Sequence, residues 1–70
     1  MTTLQQNIFD QIESIRELSP NVRTGQLLAH LGFLAEDMFD CGLADIEDEQ
    51  LLEVLQRHAR ELSQQRSNVA

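Results

Sequence analysis

Residues 21–39 read NVRTGQLLAHLGFLAEDMF, and their spacing predicts the helix around which the fold is built. Leucine recurs every three or four residues, which places an apolar stripe along one side of a helix. We expect this stripe to face the core. Its members are Leu27, Leu28, Leu31, Leu34, Ala35 and Met38.

The other side of this helix carries small residues, Gly25, Ala29 and Gly32, at positions i, i+4 and i+7. Glycine inside a helix costs about 1 kcal/mol relative to alanine, so two glycines on one side suggest close approach by another backbone. That backbone belongs either to this chain or to a second copy. Phe33 flanks the small residues, and Phe9 lies off the main stripe of its own segment, so both rings would be exposed in a lone chain. Together these five residues predict a homodimer interface.

The segment before the central helix predicts another helix, over residues 4–18, because its apolar residues recur at spacings of three and four. Thr3 followed by Gln6 fits a capping box at its start. Pro20 disfavours the helical conformation in the residue before it, which ends the helix. The central helix is then expected to begin near residue 21 and to run to 39.

A third helix is predicted over residues 48–64. Gly42 can take the left-handed conformation that ends the helix before it. The side chain of Gln50 can cap a helix start at Glu47. The core stripe of this helix is Leu51, Leu52, Leu55, Ala59 and Leu62.

The chain has 70 residues, which allows a single domain with a small core. We expect an all-α fold: one helical domain over residues 1–64, built as a three-helix antiparallel bundle, and a disordered tail over residues 65–70. Cys41 is the only cysteine, so no disulfide within the chain can support the core. A second subunit is a common alternative support, which favours completion of the bundle by dimerisation.

Twelve acidic residues against five arginines give a net charge of −7, which repels phosphate backbones and anionic membranes. Neither nucleic acid nor a membrane is therefore an expected partner. The sequence contains no apolar run of about 18 residues and does not begin with a basic region followed by an apolar one, so it predicts a soluble, cytoplasmic protein.

Eight acidic residues and no basic ones lie between Glu36 and Glu53. This density predicts a surface that docks a basic protein partner, although a merely solvated face is the alternative. Glu53 and Arg57 are spaced to form an i, i+4 ion pair. The predicted acidic partner surface consists of Glu36, Asp37, Asp40, Asp45, Glu47, Asp48 and Glu49.

The sequence predicts no catalytic residue, no cofactor and no metal site. His30 and His58 lie on different predicted helices and lack the His-x-x-x-His and Glu-x-x-His spacings of helical metal sites. We expect His58 to be partly buried and hydrogen-bonded to a carbonyl or a carboxylate. Cys41 lies among acidic residues, which oppose the thiolate that a nucleophile requires.

Two stretches, RTGQLL at residues 23–28 and IEDEQLL at residues 46–52, resemble short uncharacterised bacterial and phage helical proteins. In that pattern, Arg-x-Gly-Gln opens one helix and an acidic-Leu-Leu helix closes the chain. The resemblance covers about half of the sequence and implies no activity. It implies that Arg23 and Gln26 hydrogen-bond to the acidic start of the third helix; the alternative is that they cap the second helix.

The sequence as a whole favours a small acidic protein-protein interaction module that is homodimeric and is not an enzyme. One alternative is an antitoxin- or phage-type regulator that sequesters a basic protein. Another is a small metal-binding protein or metal-dependent enzyme that uses His30, His58 and carboxylates.

Overall fold

The structure is a computed structural model that describes the backbone of residues 3–67 and the side chains of residues 3–64. These residues form three α-helices and no strand: α1 (Leu4–Leu18), α2 (Thr24–Phe39) and α3 (Asp48–Ser67). The predicted all-α, three-helix fold is confirmed. Within the described part of the chain, no helix is long and apolar enough to cross a bilayer.

Helix α3 is the common packing partner of the other two helices. It packs against both α1 and α2, whereas no Cα atom of α1 lies within 8 Å of one in α2. Val54 and Leu55 of α3 are completely buried. The core therefore forms around α3, not around the central helix of the sequence. Its buried members are Ile8, Ile15, Leu27, Leu31, Leu34, Ala35, Val54 and Leu55.

The start of α1 has one half of the predicted capping box, because the backbone N–H of Gln6 donates to Oγ1 of Thr3 at 3.1 Å, while the Gln6 side chain donates to Oδ1 of Asp10 at 3.0 Å. Helix α2 begins three residues later than expected. The N–H of Val22 donates to the carbonyl of Ser19 at 3.2 Å, which folds residues 19–22 into a turn. Arg23 precedes the helix and donates its N–H to Oε1 of Gln26 at 3.4 Å.

The end of α2 differs from the prediction. Asp40, not Gly42, takes the left-handed conformation, with φ 56° and ψ 37°, and its N–H donates to the carbonyl of Glu36 at 2.9 Å. The φ angle of Gly42 is not positive. Aspartate tolerates this region better than most residues because its side chain is short and polar, so the helix can end before the glycine.

The start of α3 carries the predicted cap, with the N–H of Glu47 donating to Oε1 of Gln50 at 3.2 Å. The helix continues to Ser67, three residues beyond the predicted end. Residues 63–67 contain neither proline nor glycine, so nothing in their backbone chemistry stops the helix. The last residues of the predicted tail, 68–70, lie outside the described residues.

Two apolar side chains are placed differently from the predicted stripes. Leu28 is 47% exposed, because the buried positions of α2 span an arc of only about 100° and Leu28 lies beside that arc. Val54 is completely buried although the predicted stripe of α3 omits it. It lies between Leu51 and His58 on the helix face that packs against α1 and α2.

Candidate functional site

Two imidazole rings and one carboxylate meet where α2 packs against α3. The ring centroids of His30 and His58 are 4.5 Å apart, with the ring planes tilted by 50°. Glu61 follows His58 by one helical turn, and one potential ligand atom from each of the three residues lies within 4.8 Å of the other two. We call these three residues the His-His-Glu cluster.

His58 is buried because it follows Val54 and Leu55 by one turn and shares their face of α3. Only 8% of the residue is exposed, which confirms the predicted burial. Its Nδ1 atom is buried and has no hydrogen-bond partner among the described residues, so the predicted bond to a carbonyl or carboxylate is not found at this nitrogen. Leaving a buried polar atom unpaired costs about 1–3 kcal/mol.

The surroundings of His58 favour its neutral form. Burial lowers the pKa of this imidazole from its ordinary value of 6.5, and the neighbouring His30 lowers it further, while the carboxylate of Glu61 acts in the opposite direction. A neutral imidazole is the form that binds metal ions.

The third member, Glu61, is held by an ion pair. Nε of Arg57 donates to Oε1 of Glu61 at 3.1 Å, and Nη1 of the same guanidinium lies 3.8 Å from Oδ2 of Asp37 on α2. The predicted pairing of Arg57 with Glu53 is therefore wrong. Arg57 pairs instead with Glu61, one turn further along α3, and this ion pair holds the Glu61 carboxylate beside His58.

An open cavity of about 320 Å³ adjoins the two histidines. The turn between α1 and α2 closes one side of it. Its lining residues are Ser19, Val22, Gln26, Leu27, His30, His58 and Leu62. A small ligand or water bound to the cluster would have access from solvent through this opening.

The spacing of residues along the chain does not predict the whole cluster. Helical metal sites use the order Glu-x-x-His, whereas His58 and Glu61 have the reverse order and His30 comes from another helix. The His-x-x-Glu spacing was the available signal. The approach of His30 depends on which faces of α2 and α3 meet, which spacing along the chain does not specify.

The predicted dimer residues have different surroundings in the structure. Gly25, Ala29 and Phe33 are exposed on the side of α2 that faces away from the core, with Phe33 69% exposed. Gly32 is half-buried, and a Cβ there would lie 3.8 Å from the Leu43 side chain. Phe9, 65% exposed, lines a groove between α1 and α3.

Every residue of the predicted acidic partner surface is exposed. Among the described residues, the ion pairs of this surface are limited to that of Asp37 with Arg57. Arg23 and Gln26 meet each other at the start of α2, which supports their alternative role as caps of that helix.

Comparison of the chain with models of known protein families, with curated proteins and with solved structures gives no match.

Proposed function

We propose that this chain works by association: it forms a homodimer through the outer face of α2 and presents its acidic surface to a basic protein. The observation that carries the proposal is the exposure of Phe33, at 69%, beside the small residues Gly25 and Ala29. Single exposed apolar side chains are common on proteins. Here the exposed ring lies next to a strip of helix on which a second backbone can approach closely.

A two-fold axis at Ala29 would make this face complementary to itself. In an antiparallel pair of α2 helices centred on Ala29, Phe33 of one copy lies opposite Gly25 of the other, four residues on either side of the axis. A Cβ on Gly25 would have no heavy atom within 4 Å, so the surface there has open space for an aromatic ring. A large side chain over a small one is the arrangement that packs an interface without voids.

The same pairing joins opposite charges. Glu36 of one copy lies close to the start of α2 in the other and so beside Arg23, and both residues are exposed. Within one chain, Arg23 and Glu36 are thirteen residues apart, about 20 Å along a helix axis, and do not reach each other. An Arg23–Glu36 ion pair therefore reports contact between two copies.

Light scattering on the purified chain at micromolar concentration measures the dimer. Ala29→Glu places two charges at the proposed axis and is expected to yield monomers with unchanged helicity, because Ala29 is exposed and glutamate is a good helix former. Gln56→Glu is the matched control, since it adds the same charge at an exposed position of α3. A monomeric parent chain, or an Ala29→Glu variant that remains dimeric, would contradict the proposal.

A charge exchange tests the orientation. Arg23→Glu and Glu36→Arg should each weaken the dimer several-fold, and the double variant, which keeps the net charge of −7, should restore it. Glu36→Arg alone lowers the net negative charge of each copy. If it strengthened the dimer, general repulsion and not the proposed pair would govern association.

The acidic surface supports the second part of the proposal, a basic protein partner. Of its seven exposed carboxylates, only that of Asp37 has an ion pair with an arginine among the described residues, Arg57. Replacing Asp45, Glu47 and Glu49 with neutral amides should abolish salt-dependent capture of such a partner from the source cell. The dimer should persist in this variant. Capture that is unaffected by the amides would exclude this surface as the docking site.

A further inference from the structure

Two histidines and a glutamate provide a ligand set that transition metals favour. Imidazole nitrogens bind zinc, copper, iron and nickel, and two histidines with one carboxylate occur in zinc sites that keep a fourth position open. We propose that His30, His58 and Glu61 form a three-ligand site for Zn²⁺, with its open position toward the adjoining cavity.

The distances fit the site after a small contraction. The three potential ligand atoms lie within 4.8 Å of one another. Around a tetrahedral zinc ion, bonds of about 2.0–2.2 Å place ligand atoms about 3.3–3.5 Å apart. His58 is held by burial, whereas His30 is exposed and Glu61 is half-buried. We expect His30 to supply most of the remaining contraction, because its side chain is exposed whereas Arg57 holds Oε1 of Glu61.

The burial of His58 and its unpaired nitrogen distinguish this cluster from a chance group of surface residues. It is more than nine-tenths buried, yet its Nδ1 has no hydrogen-bond partner among the described residues. Coordination at this nitrogen would remove the cost of leaving it unpaired.

Arg57 orients the third ligand. Its Nε holds Oε1 of Glu61 at 3.1 Å, and a carboxylate accepts at both oxygens, so the ion pair leaves Glu61 able to bind a metal. Hydrogen bonds of this kind to metal-binding carboxylates are common and fix their direction. Asp37, 3.8 Å from the same guanidinium, offsets its positive charge beside the ion.

A metal here would connect α2 to α3 directly. The chain has a small core, and metal binding adds to folding stability when the site exists only in the folded state. The site is built within one chain. His30 follows Ala29 directly but projects about 100° away from it around α2. The proposed zinc site goes beyond the proposed function, and zinc binding can be tested independently of dimerisation.

The test is a calorimetric titration of chelator-treated, tag-free protein with ZnCl₂, repeated with Co²⁺ to record the absorption bands of the bound ion. One equivalent per chain is expected. His30→Ala and Glu61→Gln should each weaken binding by at least about tenfold while circular dichroism shows unchanged helicity. Glu53→Gln, an exposed glutamate on the same helix, is the matched control and should bind as the parent chain does.

Absence of zinc binding by the parent chain would overturn the proposal. So would equal binding by the His30→Ala, Glu61→Gln and Glu53→Gln variants, since the ligands would then lie elsewhere. Half an equivalent per chain would place the ion between two copies and overturn the site within one chain. The monomeric Ala29→Glu variant should retain one equivalent, which separates this outcome from that of the dimer.

Discussion

His58 combines burial with a titratable ring, and this combination makes the stability of the chain depend on pH. Its pKa is lowered in the folded state, chiefly by burial and next by His30, relative to the ordinary value of 6.5. Below pH 6.5 the unfolded chain therefore binds more protons than the folded chain does. The free energy of unfolding must fall as the pH decreases through this range.

We expect chemical denaturation, measured in a chelating buffer between pH 7.5 and 5.5, to show a steady loss of stability below about pH 6.5. The loss should end only below the lowered pKa of the folded state. His58→Gln removes the titrating ring and should flatten the profile in this window. A parent chain that is equally stable across the window would show that the pKa of His58 is the same in the folded and unfolded states.

Asp40 has a backbone conformation that is unusual for a residue other than glycine, since its φ angle is positive at the end of α2. Asp40→Gly should stabilise the chain by about 0.5–1 kcal/mol, because glycine adopts this region without a Cβ penalty and a negative charge leaves the negative end of the helix dipole. Thermal melting measures the effect.

Two variants separate the contributions at Asp40. Asp40→Asn removes the charge but keeps a residue that tolerates positive φ, so it isolates the dipole term. Gly42→Ala is the control for a glycine without positive φ, and a Cβ there would meet no heavy atom within 4 Å. Destabilisation by Gly42→Ala together with no gain from Asp40→Gly would assign the helix end to Gly42.

At the scale of the helices, local chemistry is what the sequence predicts best. The start of α1 depends on Thr3 and Gln6, and the start of α3 on Glu47 and Gln50; both involve residues three positions apart. Such contacts can be inferred from spacing alone. The end of α2 is less predictable, because Asp40 and Gly42 both tolerate the left-handed conformation and spacing alone does not choose between them.

Contacts between helices follow a different rule. The meeting of His30 with His58, and the pairing of Arg57 with Asp37 as well as Glu61, depend on how α2 lies against α3. Spacing along one helix does not contain this information. The candidate metal site was therefore only partly visible in the sequence, as the His58–Glu61 spacing, while the ligand from α2 was not.

At the scale of the whole molecule, the arrangement around α3 determines where substitutions are costly. A chain of this length has a total stability of about 4–10 kcal/mol. Leu55 of α3 is completely buried, whereas Leu28 of α2 is 47% exposed although both belong to predicted core stripes. The two leucines are thus a matched pair that differ in burial and not in chemistry.

Leu55→Ala should lower the free energy of unfolding by about 2–5 kcal/mol, because it leaves a cavity at the helix that holds both of the others. Leu28→Ala should cost less than about 1 kcal/mol. Denaturant unfolding in the monomeric Ala29→Glu background measures both values without a contribution from association. Equal losses at the two positions would mean that Leu28 is buried as deeply as Leu55. Such burial would require a bundle in which all three helices contact one another.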